Sequence, residues 1–315
     1  MALHITAEDS ALAASAVPGD PWTYFVQFQA PDIAFKNAMV SQNDPTITGV
    51  INPSPFLGPK LASTIDADGV RNVFYLSPLQ PQPPPPQPQA RVFNLRKTPL
   101  GIWEPGPFDG RVIPANPQSQ ICATIVPLPA PPHAVHLFVR GQAGFLHFWA
   151  VGDAVFDEVV PPGGALLGTA LTAVHVPDLA AMHLFYQTED AGVRRIIFAG
   201  GAWGPPELVP GTFYAVAGTG LAAISWADQW RLYFNDAPHG TIREVGGPQA
   251  MDVSLFDGDV AVAAVNLHAV GEIRHVLFKG PAGGIFGNPV VVRRAVGALV
   301  DGVFVWHPQQ DLPGP

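Results

Sequence analysis

The sequence predicts an all-β fold, a six-bladed β-propeller of antiparallel meander blades, on three observations. A short run of small residues recurs six times. A strand-length segment rich in aromatic and branched residues follows each run, and nothing between the repeats has the pattern of an amphipathic helix. The composition agrees, since 36 Pro and 32 Gly among 315 residues suit turns and charged residues make up only 13%. Self-similarity at a period of roughly 20–50 residues marks solenoids and propellers, so the repeat decides the fold class before any single strand does.

Blade one, residues 10–58, opens with Leu12–Ala14 and continues with Tyr24–Gln29; blade two, 59–117, has Leu61–Ser63 and Asn72–Leu76. Blade three, 118–168, has Ile121–Ala123 and Val135–Val139, and blade four, 169–218, has Leu171–Ala173 and Met182–Gln187. Blade five, 219–259, has Leu221–Ala223 and Trp230–Asn235, and blade six, 260–306, has Val262–Ala264 and His275–Lys279. Measured on the third residue of each run (Ala14, Ser63, Ala123, Ala173, Ala223, Ala264), the spacings are 49, 60, 50, 50 and 41. A third strand follows across a Gly, Pro or Asp turn, as in Gly144–Trp149, Val193–Phe198 and Thr241–Val245, which makes each unit a small meander. Six such units over residues 1–315 suit one propeller domain better than a sandwich. The innermost strands of a propeller crowd its axis, and Ala and Ser fit there.

Two segments stand outside the repeat. The loop 79–89 in blade two carries the run Pro81-Gln-Pro-Pro-Pro-Pro-Gln-Pro-Gln. Proline lacks an N–H and fixes φ, so this is a polyproline-like loop outside the sheet, and it accounts for the 60-residue spacing. The terminal segments Leu3–Thr6 and Gly302–Trp306 are expected to close the ring.

Composition excludes several functions. A formal charge of −9 disfavours nucleic acid and anionic membranes as partners. Cys122 is the only cysteine, which rules out an intrachain disulfide and a thiolate-rich metal site and reads as core within Ile121–Ile125. The start lacks a basic and then apolar leader, and no apolar segment of about 18 residues occurs, so a cytoplasmic location is expected. There is no His-x-His, His-Glu-x-x-His, Gly-x-Ser-x-Gly, GxGxxG or P-loop spacing, so neither a metal nor a cofactor is expected.

Blade five reads Leu221-Ala-Ala-Ile-Ser-Trp-Ala-Asp-Gln-Trp-Arg-Leu-Tyr-Phe-Asn-Asp and then Gly240-Thr-Ile-Arg-Glu. It closely resembles the repeat of the fungal fucose-specific lectins; the likeness is fair in blade four and faint elsewhere. The resemblance implies sugar sites in the clefts between adjacent blades, each built from an Arg opening the second strand, a Glu on the third, and a Trp or similar aromatic from the next blade. The charged pair grips sugar hydroxyls while the aromatic covers the apolar side of the ring. Arg231 and Glu244 match the first two positions and flank one hairpin, so they should lie side by side. Blade six is expected to lack the aromatic, because Gly284–Arg294 contains no Trp. In the other blades the Arg position reads Phe25, Asn72, His136, His183 and His275, and the Glu position reads Phe35, Asn94, His147, Arg195 and Gly287. Trp103 and Trp203 still match the aromatic position. Five of the six sugar sites are therefore expected to be lost.

Lectin-like propellers without their sugar residues resemble the fungal hetero-Diels–Alderases of tropolone-sesquiterpenoid biosynthesis. That resemblance implies a cofactor-independent enzyme of secondary metabolism, a pericyclase that dehydrates a hydroxymethyl tropolone to a quinone methide and joins it to a humulene-type sesquiterpene. Holding two apolar partners in near-attack geometry supplies much of the required barrier lowering. On this reading the catalytic handles are His136, His183, Arg195 and Arg231, with Glu244 orienting Arg231, and the substrate-binding walls are Trp103, Trp149, Trp203 and Phe185. The expected partner is an apolar small molecule, with homo-oligomerisation left open. A glycan lectin with one residual site at Arg231 and Glu244, and a non-catalytic scaffold, stand as alternatives.

Overall fold

In the computed structural model, residues 12–16, 23–29, 34–41, 44–53, 61–66, 68–78, 89–98, 101–115, 119–127, 133–141, 144–152, 154–160, 165–166, 169–190, 192–236, 241–247, 250–255, 262–266, 273–281, 290–301, 303–308 and 310–311 are described. They form six antiparallel sheets. Blade one holds β1 (Leu12–Ala16), β2 (Thr23–Gln29), β3 (Ala34–Ser41) and β4 (Asp44–Pro53). Blade two holds β5 (Leu61–Ile65), β6 (Arg71–Pro78), β7 (Ala90–Lys97), β8 (Trp103–Pro105) and β9 (Val112–Ile113). Blade three holds β10 (Ile121–Val126), β11 (Ala134–Arg140), β12 (Phe145–Val151) and β13 (Ala154–Val160). Blade four holds β14 (Leu171–Val176), β15 (Ala181–Gln187), β16 (Val193–Ala199), β17 (Ala202–Trp203) and β18 (Glu207–Leu208). Blade five holds β19 (Ala222–Trp226), β20 (Gln229–Asp236), β21 (Thr241–Val245) and β22 (Met251–Leu255). Blade six holds β23 (Val262–Asn266), β24 (Ile273–Pro281), β25 (Val290–Val300), β26 (Val303–Trp306) and β27 (Gln310–Asp311).

The inner strands touch in the order β1, β5, β10, β14, β19, β23 and back to β1, which closes a ring of six. A channel of about 340 Å3 opens on its axis, with the third residue of every small-residue run in its lining: Ala14, Ser63, Ala123, Ala173, Ala223 and Ala264. The meanders carry a fourth, outer strand or pair of short strands beyond the three legible in the sequence. Val303–Trp306 does not close the ring but forms the outer strand β26, hydrogen-bonded to β25 within blade six, and Leu3–Thr6 lies outside the described residues. Residues 79–88 of the proline-rich loop also lie outside them.

The core is spread through the seams between blades. Phe74, Leu76 and Val92 pack against Ile121, Leu137 and Phe148; Cys122, Phe138 and Phe145 against Leu184 and Tyr186; Val174 and Phe185 against Leu221 and Phe234; and Tyr233 and Ile242 against Val276 and Phe278. Each such side chain contributes about 1.5–3 kcal/mol on burial. Because neighbouring blades cover the sheet faces, polar residues of the second and third strands such as Asn72, Asn94, His136, His147, Arg231 and Glu244 are buried as well, which is costly unless they find partners in their seams.

Candidate functional site

Register fixes which residues are equivalent. In all six blades the residue after the small-residue triplet (Ser15, Thr64, Thr124, Val174, Ile224, Val265) pairs with Phe25, Asn72, His136, His183, Arg231 or His275, the position read as that of the Arg. Two residues further along the second strand, Gln27, Phe74, Phe138, Phe185, Tyr233 and Leu277 pair with Asn37, Asn94, His147, Arg195, Glu244 and Arg294. The Glu position is therefore Asn37 in blade one and Arg294 in blade six, not Phe35 and Gly287. Phe35 pairs instead with Gln29, beside a bulge in β3, and Gly287 precedes β25 and falls outside the described residues.

Register fixes the aromatic position as well. Three residues beyond the Glu position, Lys97, Phe198 and Gly297 pair with Trp103, Trp203 and Trp306 on the outer strands of blades two, four and six. Trp306 is the aromatic expected to be missing from blade six. Gly297 opposite it makes room: a Cβ there would stand 2.5 Å from the Phe304 ring and 3.0 Å from Trp306.

The cleft between blades five and six consequently holds the complete trio. Arg231 Nε lies 3.4 Å from Glu244 Oε1, and both side chains are nearly buried. Arg231 Nη1 donates to the carbonyls of Trp230 and Gly246 at 2.7 and 3.1 Å. Tyr233 donates its hydroxyl to Glu244 Oε2 at 2.8 Å, and Arg274 Nη1, from blade six, bridges both oxygens at 2.8 and 3.0 Å. Burial, reinforced by the neighbouring Glu244 carboxylate, holds the Tyr233 phenol well above its ordinary pKa, so it remains a donor. Both guanidiniums lie over the Trp226 ring, at 4.9 Å for Arg231 and 4.7 Å for Arg274, and Arg274 also lies 3.7 Å over Phe304. Trp306 meets the Tyr233 ring edge-on at 6.1 Å, and its buried Nε1 has no hydrogen-bond partner among the described residues.

The cleft between blades three and four carries different chemistry at the same positions. His136 Nδ1 is 2.8 Å from His147 Nε2, His147 Nδ1 is 2.8 Å from Glu158 Oε1, and Trp203 donates Nε1 to the same oxygen at 2.7 Å. Burial pushes His136 down to about 3, helped by His147 and His175, and burial also lowers His147 against the opposing pull of Glu158. With both rings neutral, His147 donates Nδ1–H to the carboxylate and accepts at Nε2 from His136. Trp149 stacks on His147 at 5.0 Å and on Phe156 at 5.4 Å.

The remaining candidates are dispersed. His183 and Arg195 face blade five, where Arg195 pairs with Glu207 at 2.7 Å and lies over Trp230 at 5.2 Å; burial and the Arg195 charge lower His183 to about 4. Phe185 is fully buried against Trp230, a packing residue and no substrate wall. Trp103 lies between blades one and two beside Arg71 and Lys97. The four proposed catalytic handles thus occupy three different clefts. Arg274, Glu158 and Glu207 were not anticipated. Arg274 immediately precedes the repeat position and so points to the opposite face of its strand, into the preceding cleft.

No family model matches the chain, and no curated protein matches it. Among solved structures it is similar to AofleA from Arthrobotrys oligospora, with 16% identity over 99% of this chain and 88% of that one and a TM-score of 0.70. It is similar to the SapL1 lectin in complex with α-methyl fucoside, with 18% identity over 97% of both chains and a TM-score of 0.66. A third likeness is to the lectin of Aleuria aurantia, a six-bladed β-propeller with a fucose recognition mode, with 17% identity over 97% and 96% and a TM-score of 0.63. These likenesses show a lectin-like six-bladed β-propeller fold.

Proposed function

We propose that this lectin-like propeller binds glycans through a single site, the cleft between blades five and six, and that the site takes a fucose-type sugar. The observation that carries the reading is the convergence of Arg231, Glu244 and Trp306 in one seam at the three repeat positions. Glu244 already accepts from Tyr233 and Arg274, so its task is to orient Arg231. Arg231 spends Nη1 and Nε on the fold, which leaves Nη2 as the donor to a sugar hydroxyl, while the indole of Trp306 covers the apolar ring face.

The pericyclase reading takes its polar handles from His136, His183, Arg195 and Arg231. Among the described residues these stand in three clefts, and only His183 and Arg195 share one, so no cleft presents all four to one substrate. Titration with methyl α-L-fucoside tests the lectin reading. The wild-type chain is expected to bind saturably, Trp306→Ala and Arg231→Ala each to bind at least about tenfold more weakly, and Arg195→Ala to bind as wild type. Equal binding by all four proteins, or none by the wild type, overturns the assignment.

A further inference from the structure

We propose that the seam between blades two and three is a second, independent binding site for an elongated, mostly apolar small molecule ending in a carboxylate, with Arg111 as its polar handle. A cavity of about 410 Å3 opens there, lined by Val112, Ile113 and Pro114 from blade two, Leu146, Phe148 and Val159 from blade three, and Arg111, Asp157 and Glu158. That volume falls in the usual range for small-molecule sites, as does the pattern of apolar walls with a few polar groups. Ile113 and Phe148 form a buried floor, whereas Val112 and Val159 are 50% and 63% exposed and leave apolar surface for a ligand to cover.

Charge at the mouth selects the ligand's end. Glu158 is adjacent to Asp157 on β13, and its carboxylate is engaged on the opposite face by His147 and Trp203. Asp157 alone therefore faces Arg111, at 3.5 Å through one guanidinium nitrogen, and the Asp157 side chain is 66% exposed. Such an exposed, single-pronged pair is weak. A ligand carboxylate can meet the guanidinium fork with two hydrogen bonds and displace Asp157 toward water. The Arg111 guanidinium lies 5.6 Å over the Phe148 ring, which keeps it above the cavity floor.

Decanoate below its micellar concentration, titrated calorimetrically against the full chain, tests this. One saturable site is expected, with decanol at least about tenfold weaker, Arg111→Ala at least about tenfold weaker for decanoate, and Val159→Trp, which fills the mouth, without binding. Arg111 and Val159 are partly or largely exposed, so both variants should fold. Trp306→Ala should bind decanoate as wild type does, which separates this site from the sugar cleft. The proposal is overturned if decanoate does not bind saturably, if decanol binds equally well, or if neither Arg111→Ala nor Val159→Trp weakens binding.

Discussion

Replacing Glu244 with alanine is expected to destabilise the protein by about 3–5 kcal/mol, as is typical when one partner of a buried ion pair is removed. The carboxylate sits where three donors converge: Tyr233, Arg274 from the next blade, and Arg231. Removing it deprives a buried phenol and two buried guanidiniums of their shared acceptor and loosens the seam between blades five and six. Glu244→Gln keeps one acceptor oxygen and the side-chain volume, so its loss should be smaller. Urea denaturation of the two variants beside wild type measures the difference. A Glu244→Ala loss below about 1 kcal/mol, the range of an exposed pair, would mean that the cluster does not brace the seam.

The second large effect is acid lability. Burial lowers His136 and His275 to about 3 and His183 to about 4, from an ordinary 6.5. The surrounding charges are Arg294 for His275, Arg195 and Glu207 for His183, and the imidazoles of His147 and His175 for His136. The unfolded chain takes up these protons below pH 6.5 while the folded chain resists. The stability from keeping the three rings neutral is therefore complete above 6.5 and falls as the pH drops toward the folded values. Each histidine costs about 1.4 kcal/mol per pH unit in that window. Between pH 7 and pH 5 the three together should remove about 6 kcal/mol, and His275→Gln should recover about 2 kcal/mol of it. Urea midpoints across that range provide the check. A wild-type stability flat from pH 7 to pH 5 would contradict the assignment of these rings as neutral and buried.

The architecture was legible because crowding at a propeller axis forces small residues to the same point of every blade. Ala14, Ser63, Ala123, Ala173, Ala223 and Ala264 line one channel, and the inner hairpin keeps the same register in all six blades. The outer strands were not legible. β8, β17 and β26 are two to four residues long, too short for an alternating pattern to declare itself. That hid Trp306, although Trp103, Trp203 and Trp306 recur at intervals of two blades and held the needed signal. The Glu positions of blades one and six were not legible because the hairpin between the second and third strands varies in length from blade to blade, so Gln27 meets Asn37 and Leu277 meets Arg294 at separations that the blade-five hairpin does not give. Arg274 escaped because a comparison of one strand face cannot show what the next blade sends across the seam. The Arg231 and Glu244 pair was therefore legible in the sequence, whereas the two blade-six residues that complete its surroundings, Trp306 and Arg274, were not.

The most direct test of the central claim is the stoichiometry and place of sugar binding, measured by calorimetric titration with methyl α-L-fucoside and by a crystal structure of the complex. One sugar per chain is expected, lying on Trp306 within reach of Arg231 Nη2 between blades five and six. Sugar in any other seam, several equivalent sites around the ring, or none at saturating fucoside would contradict it.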